Sequence, residues 1–177
     1  MKLESRTVLI TGGTSGIGLE LAKQIHQRGN AIIVRGRDQD KLDAAKRALP
    51  GVHTVRSDVS DLGAIAALHH TVLAQFPALD TLVNNAGIMR NLNLNQSRDL
   101  YDVTREIEIN LSGPVRMVQQ FLPHLKTRKD ALIVNVSSGL AFIPFPASPA
   151  YCATKAAIHS PNPCESSSMA RALPRSN

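Results

Sequence analysis

The sequence predicts a doubly wound α/β fold, in which helices cover both faces of a parallel sheet and give three αβα layers. Three observations lead to this prediction. Short apolar runs rich in β-branched residues alternate along the chain with helical stretches. These runs are continuously apolar rather than alternating, as strands buried on both faces require. The 177 residues suit one domain, and a hydrophobic content of 43% is enough for a buried core.

Each predicted strand is a short apolar run bounded by a turn or by a helical stretch. The first strand runs directly into a glycine-rich turn, and the other four follow helical stretches. Parallel strands need crossover connections, which the intervening helices supply in the right-handed sense. In chain order the predicted strands are residues 8–10, 31–34, 52–56, 79–83 and 131–136.

The predicted helices follow from apolar residues spaced three or four positions apart. Gly29 and Pro50-Gly51 end the first two helices, and Ser60 or Asp61 can cap the third. Gly113-Pro114 is a place where the long fourth helix can bend. In chain order the predicted helices are residues 17–28, 41–49, 62–76 and 100–122, with a last one starting at Ser148-Pro149.

The composition excludes several classes of function. The net charge is +6, but the basic residues are scattered, and the cluster at 126–129 is expected to be solvated surface. Aromatic residues make up 3% and Trp is absent, so nucleic-acid stacking platforms are not expected. The histidines, including His69-His70, show no metal-ligand pattern, so no metal site is expected.

The expected location is the cytoplasm. The apolar runs are too short for a membrane span, and the N-terminus lacks the pattern of a signal peptide. Cys152 and Cys164 cannot form a disulfide scaffold and are compatible with a reducing compartment.

A glycine-rich turn marks the first candidate binding site. It joins the first strand to the first helix, where glycines permit a tight turn and a close approach to a pyrophosphate. Its residues are Thr11, Gly12, Gly13, Thr14, Ser15, Gly16, Ile17 and Gly18. The context of strand, turn and helix predicts a Rossmann-like dinucleotide site.

Four ordered motifs together resemble the short-chain dehydrogenase/reductase family, over roughly residues 4–160. The first is Thr11-Gly-x-x-x-Gly16-x-Gly18, which is similar to the cofactor loop of that family. The others are the Asn-Asn-Ala-Gly signature at 84–87, Asn110, and Ser138 followed by Tyr151-x-x-x-Lys155. The resemblance implies an enzyme that interconverts an alcohol and a carbonyl on a small-molecule substrate.

The resemblance also implies a role for each catalytic candidate. Carbonyl reduction needs a hydride from the cofactor and a proton from the protein. Tyr151 would be the acid/base, and Lys155, on the same helix face, would stabilise its phenolate and bind the nicotinamide ribose. Ser138 would hydrogen-bond the substrate oxygen, and Asn110 would hold a water in a proton relay.

The cofactor is expected to be NADP, with NAD as the open alternative. An NAD site usually has an acidic residue after the second strand, whereas this chain has Gly36 beside Arg37. Arginine can pair with a 2′-phosphate through charge-assisted hydrogen bonds, although Arg35 and Arg37 could also be plain surface charges. Asp58-Val59 resembles the adenine-binding pair of the family, and Asn85, Ala86 and Gly87 complete the predicted cofactor set.

The chain departs from the family pattern after residue 160, so residues 1–160 are expected to be an incomplete dinucleotide-binding domain and 161–177 an irregular tail. Read two bases later with suitable codons, the tail gives a helix-forming sequence, which suggests a shifted reading frame near codon 160. Strand five would then be a sheet edge with apolar surface beside it. We expect weak stability, little or no turnover and doubtful assembly, although family members are often homo-oligomers. A catalytically dead dinucleotide-binding protein is the alternative.

Overall fold

Five parallel strands form one sheet in the order β3-β2-β1-β4-β5. The structure is a computed structural model of the chain, and it describes residues 4–91 and 96–159. The strands are β1 Thr7–Thr11, β2 Ala31–Gly36, β3 His53–Arg56, β4 Thr81–Asn84 and β5 Leu132–Asn135. The α-helices are α1 Gly16–His26, α2 Gln39–Ala48, α3 Leu62–Gln75, α4 Leu100–Ile107, α5 Gly113–Lys126 and α6 Pro149–His159. The predicted α/β fold is confirmed.

The central strand β1 shows why the predicted strands had to be continuously apolar. Val8, Leu9 and Ile10 are all fully buried. Val8 and Ile10 pack in one apolar cluster with residues of α1 and α2, whereas Leu9 packs in the other with residues of α3 and α5. Because successive side chains of a strand point to opposite faces, a sheet covered twice needs an apolar residue at every position.

Three helices start at an aspartate whose side chain accepts a backbone N–H from the first turn. Asp38, Asp61 and Asp99 cap α2, α3 and α4 in this way. Of the two residues predicted to cap the third helix, Asp61 is the observed N-cap. The cap at Asp38 also explains why α2 begins two residues before the predicted start at residue 41.

The long helix predicted over residues 100–122 is two α-helices joined by a π-helical turn at Glu108–Ser112. The irregularity lies just before Pro114, which has no N–H to donate to the carbonyl of Asn110 in an α-helix. Gly113 lets this segment approach the loop that follows β3, since a Cβ there would stand 3.0 Å from the Cβ of Val59. The π turn places Asn110 in a fully buried position.

Strand β5 is an outer strand of the sheet that the described residues form, as the sequence analysis expected. It pairs with β4 on one side, from Thr81–Leu132 to Asn84–Asn135. Its central residues Ile133 and Val134 are only half-buried. The predicted tail at 161–177 lies outside the described residues.

None of the helices in the described ranges is both long enough and apolar enough to cross a membrane.

Replacing Phe121 by Ala should destabilise the fold by about 3–5 kcal/mol, because the ring is fully buried and its removal leaves a cavity. The ring also meets His69 edge to face, with 5.1 Å between the ring centroids. Urea unfolding followed by circular dichroism measures the loss. Val115→Ala, at an exposed position of the same helix, should change stability by less than about 0.5 kcal/mol. Equal effects of the two substitutions would contradict this packing, and Phe121→Leu serves if the alanine variant does not fold.

Candidate cofactor and catalytic site

Three of the four glycines in the glycine-rich turn are required by the local geometry. A Cβ at Gly18 would lie 2.3 Å from the carbonyl oxygen of Gly12, and one at Gly12 would lie 2.8 Å from the Cα of Ala86. These two glycines therefore permit close backbone packing. Gly16 has a φ of +52°, and a Cβ on it would meet nothing within 4 Å. The turn thus leaves open space at the start of α1, which fits a pyrophosphate bound by the helix N-terminus.

Thr11 joins this turn to the segment that follows β4. Its hydroxyl accepts the backbone N–H groups of Asn85 and Ala86, both at 3.0 Å. The side-chain amide of Asn85 in turn donates to the carbonyl oxygens of Thr11 and Gly12, each at 3.1 Å. Thr11 stands in the predicted glycine motif, but its hydrogen bonds to the segment after β4 were not predicted from the sequence.

A cleft of about 380 Å³ lies at the carboxyl ends of the strands, where ligands bind in doubly wound sheets. It brings together most of the predicted cofactor residues. Those that line it are Gly12, Thr14, Ser15, Ile17, Gly18, Arg37, Asp58, Val59, Asn85, Ala86 and Gly87. Arg35, Gly36, Asp38, Lys41, Ile88 and Ile109 line it as well.

Charged groups of both signs meet at the β2 and β3 end of the cleft. The Asp58 carboxylate accepts hydrogen bonds from the backbone N–H and the hydroxyl of Ser60, at 2.9 and 2.7 Å. Burial alone would raise the pKa of Asp58, but these bonds and the nearby Arg35 and Arg37 hold that pKa below its usual value. Burial lowers the pKa of Arg35 to about 10, against the opposing attraction of Asp58.

Tyr151 and Lys155 lie one turn apart on α6, as their spacing predicted. The Nζ of Lys155 is 5.8 Å from the centroid of the Tyr151 ring and donates to the carbonyl oxygen of Val136 at 2.8 Å. The Ser137 hydroxyl donates to the carbonyl oxygen of Lys155 at 3.0 Å, which ties α6 to the end of β5. Burial lowers the pKa of Lys155 below its ordinary value.

Asn110 connects the segment after β4 to helix α6. Its side-chain amide donates to the carbonyl oxygen of Ile88 and accepts the Ile88 N–H, both at 2.8 Å, and it contacts the Thr154 hydroxyl at 3.3 Å. A Cβ on Gly87 would lie 3.2 Å from Asn110 Oδ1 and 3.6 Å from Lys155 Nζ. Gly87, Asn110 and Lys155 therefore converge on one small space.

Ser138 follows β5 on the segment that leads to α6. Its hydroxyl accepts the N–H of Leu140 at 3.2 Å and begins the single 3₁₀ turn Gly139–Ala141. The side chain is half-buried.

A partly buried chain of contacts that was not predicted from the sequence holds the start of α6 against α4. The Ser148 hydroxyl donates to the carbonyl oxygen of Arg90 at 2.9 Å, and the N–H of Arg90 donates to Glu106 Oε1 at 2.8 Å. The Arg90 guanidinium also pairs with Asp102 at 2.6 Å. Tyr151 lies three residues after Ser148, so this chain fixes the part of α6 that carries it.

Glu106 is the least expected member of that chain. It is fully buried, and its Oε2 has no hydrogen-bond partner among the described residues. Its place four residues before Asn110 was the sequence signal for a shared position, since the two residues would lie on one face of a regular α-helix. In the structure the π turn begins between them.

No group of three or more His, Cys, Asp or Glu residues in the ranges 4–91 and 96–159 is arranged to hold a metal ion.

Comparison with known proteins agrees with the fold and the motifs. A family model described as short chain dehydrogenase matches residues 6–166. A Bacillus subtilis protein named "Uncharacterized oxidoreductase DltE" is 47% identical over 161 residues, which are 90% of this chain and 64% of that protein. An Acinetobacter baylyi fatty acyl-CoA reductase is 34% identical over 167 residues, which are 92% of this chain and 57% of that protein. The chain therefore spans about half to two thirds of the length of such relatives.

Solved structures show the same similarity. A short-chain dehydrogenase from Streptomyces avermitilis superposes with a TM-score of 0.80 at 30% identity, covering 88% of this chain and 57% of that one. A Thermoplasma acidophilum aldohexose dehydrogenase superposes with a TM-score of 0.78 at 26% identity, covering 88% and 58%. With a family model that matches nearly its whole length, the chain belongs to the short-chain dehydrogenase family.

Proposed function

We propose that this chain is an NADP-dependent oxidoreductase that interconverts an alcohol and a carbonyl, with NAD as a possible second cofactor. One observation carries the proposal. The buried Nζ of Lys155 lies near both the Tyr151 ring and the space beside Gly87 and Asn110, next to a cleft that begins at the glycine turn. An acid/base candidate thus adjoins the cleft that the glycine turn and Gly87 line. The oxidoreductase names of the relatives agree with this reading.

The cofactor residues divide along the cleft. The turn from Gly12 to Gly18 would hold the pyrophosphate through backbone N–H groups and the start of α1. Asp58 and Val59 would contact the adenine, and Arg37 would pair with the 2′-phosphate. Asn85, Ala86 and Gly87 would line the path toward the nicotinamide.

Bound NADP(H) would supply the hydride, and the protein would supply the proton. Tyr151 would give its phenolic proton to the carbonyl oxygen during reduction and take a proton back during oxidation. The Lys155 ammonium would stabilise the phenolate and bind the nicotinamide ribose, and its buried position strengthens both interactions. Ser138 would orient the substrate oxygen, and Asn110 would hold the water that returns the proton from solvent.

The substrate class is a small-molecule alcohol or carbonyl, and neither a nucleic acid nor a membrane is a proposed partner. Residues 1–160 would form the cofactor domain of a cytoplasmic protein. The relatives include a fatty acyl-CoA reductase and an aldohexose dehydrogenase, whose names describe very different substrates. The proposal therefore extends to the reaction class and not to one substrate.

A dinucleotide-binding protein without turnover is the second candidate, and one observation favours it. The segment between Ser138 and α6 exposes Phe142 by 65% and Ile143 by 74%. Bulk water around the reacting atoms weakens the electrostatic interactions that carbonyl reduction needs. This exposed apolar segment leaves that side of the site open in the described residues.

The exchange Tyr151→Phe separates the two candidates. If the chain reduces small aldehydes or ketones, the exchange should lower the rate by roughly 10²–10⁴-fold, because it removes the proton donor. NADPH affinity should stay within about twofold, since the ring remains. The measurements are NADPH absorbance at 340 nm and a fluorescence titration. Tyr101→Phe, at an exposed position, is the control. A variant that keeps the wild-type rate would exclude Tyr151 as the acid/base, whereas wild-type binding without reduction would establish the second candidate.

The exchange Arg37→Met should weaken NADPH binding roughly tenfold or more and change NADH binding by less than about twofold. The reason is that a charge-assisted hydrogen bond to the 2′-phosphate contributes about 1.5–3 kcal/mol. Nicotinamide fluorescence measures both affinities, and the chain contains no Trp that would interfere. The matched control is Arg28→Met, at an exposed position after α1. Equal affinity changes for the two dinucleotides would count against a 2′-phosphate contact.

A further inference from the structure

Strand β2 carries a buried cation, Arg35. Its exposed fraction is only 4%, and its Nε is fully enclosed and has no hydrogen-bond partner among the described residues. In the ranges 4–91 and 96–159, no hydrogen bond or contact ion pair of its guanidinium is found. Asp58 attracts it without such a contact. An arginine in this state differs from the exposed Arg37 two residues later.

The stability of the fold does not explain an arginine at this position. Strand alternation places Arg35 on the same face as Ile33, which packs in the apolar cluster that also contains Val59. A guanidinium carries five N–H donors, and burying it unpaired is unfavourable. An apolar residue of similar length would suit the surrounding residues better. The buried charge therefore lowers the stability of the ligand-free protein, and a favourable interaction elsewhere is expected to explain why it is present.

The position of Arg35 points to a ligand as that interaction. It is the last residue but one of β2, and its carbonyl oxygen accepts the N–H of Gly12 at 2.9 Å. It lines the candidate cofactor cleft together with two further cations, Arg37 and Lys41, and two carboxylates, Asp38 and Asp58. The positive charge of Arg37 lowers the pKa of Arg35, and the negative charge of Asp58 opposes this effect. Three cations against two carboxylates leave this end of the cleft with one surplus positive charge.

We propose that Arg35 is a second phosphate-binding residue of the cofactor site, which donates to the 2′-phosphate of NADP(H) beside Arg37. The inference rests on the proposed function and deepens it. A phosphate at this end of the cleft supplies the acceptors that the guanidinium lacks, and it neutralises the repulsion between the two arginines. Because the Arg35 side chain is already enclosed and desolvated, little side-chain freedom is lost on binding.

Arg35→Met tests the proposal through dinucleotide binding, which needs no turnover, and its thermal unfolding tests whether the buried charge destabilises the ligand-free protein. The ligand-free variant should unfold roughly 3 °C or more above the wild type, since an unpaired buried charge is removed. Its Kd for NADPH should rise roughly tenfold or more, while its Kd for NADH should stay within about twofold. Arg35→Lys, which keeps the charge, should retain part of the preference, and Arg28→Met is the surface control.

The deciding observation is whether Arg35→Met loses affinity for NADPH and not for NADH. Weaker NADPH binding with unchanged NADH binding supports a phosphate contact, whatever the thermal shift. An equal loss for both dinucleotides, or no loss, overturns it and makes Arg35 a structural partner of Asp58. If the wild type binds neither dinucleotide, the proposed function fails, and the unfolding temperature measured with inorganic phosphate or 2′,5′-ADP then tests Arg35 alone. If these anions raise the unfolding temperature of the wild type but not that of Arg35→Met, the phosphate site is supported. If they do not raise the unfolding temperature of the wild type, the phosphate site is overturned.

Discussion

The hydroxyl group of Thr11 joins the two loops between which the candidate site lies. By accepting two N–H groups from the segment after β4, it holds that segment against the glycine turn after β1. The two strands are neighbours in the sheet, so their carboxyl ends lie side by side. The close approach requires glycine at positions 12 and 18, where any Cβ would collide with backbone. This junction therefore positions the glycine turn and the segment from Asn85 to Gly87, which line the cleft and lead toward Lys155.

From that junction the structure extends to the catalytic candidates in two steps. Ile88, next to Gly87, hydrogen-bonds both ways with the Asn110 side chain, which reaches Thr154 on α6. Arg90 is bonded to Glu106 on one side and to Ser148 on the other. A short segment of backbone therefore positions α6 relative to the glycine turn. The acid/base candidate and the cofactor cleft are fixed by the same few hydrogen bonds.

The sequence alone was sufficient to predict the architecture, because strands and helix ends are marked by residues close together in the chain. Continuous apolar runs gave the strands, and Asp61 and Gly29 marked helix ends. The convergence of Gly87, Asn110 and Lys155 could be expected only from a family resemblance, since their spacing in the chain carries no such information. The burial of Arg35 and Glu106 could not be predicted, because a charged residue in a helix or strand normally reaches solvent. Both depend on tertiary contacts that no local pattern encodes.

The π turn at Glu108–Ser112 sets the rotation of helix α5 relative to helix α4. One residue of an α-helix corresponds to about 100° of rotation, so the wider turn offsets the phase of α5 against α4. Glu106 lies before that offset, Asn110 lies within it, and Met117 and Phe121 lie after it. A one-residue deletion within the turn would change this phase by about 100° and rotate Met117 and Phe121 away from the apolar cluster in which they pack. The length of the turn that joins α4 to α5 is therefore a stricter requirement than the identity of the exposed residues on either helix.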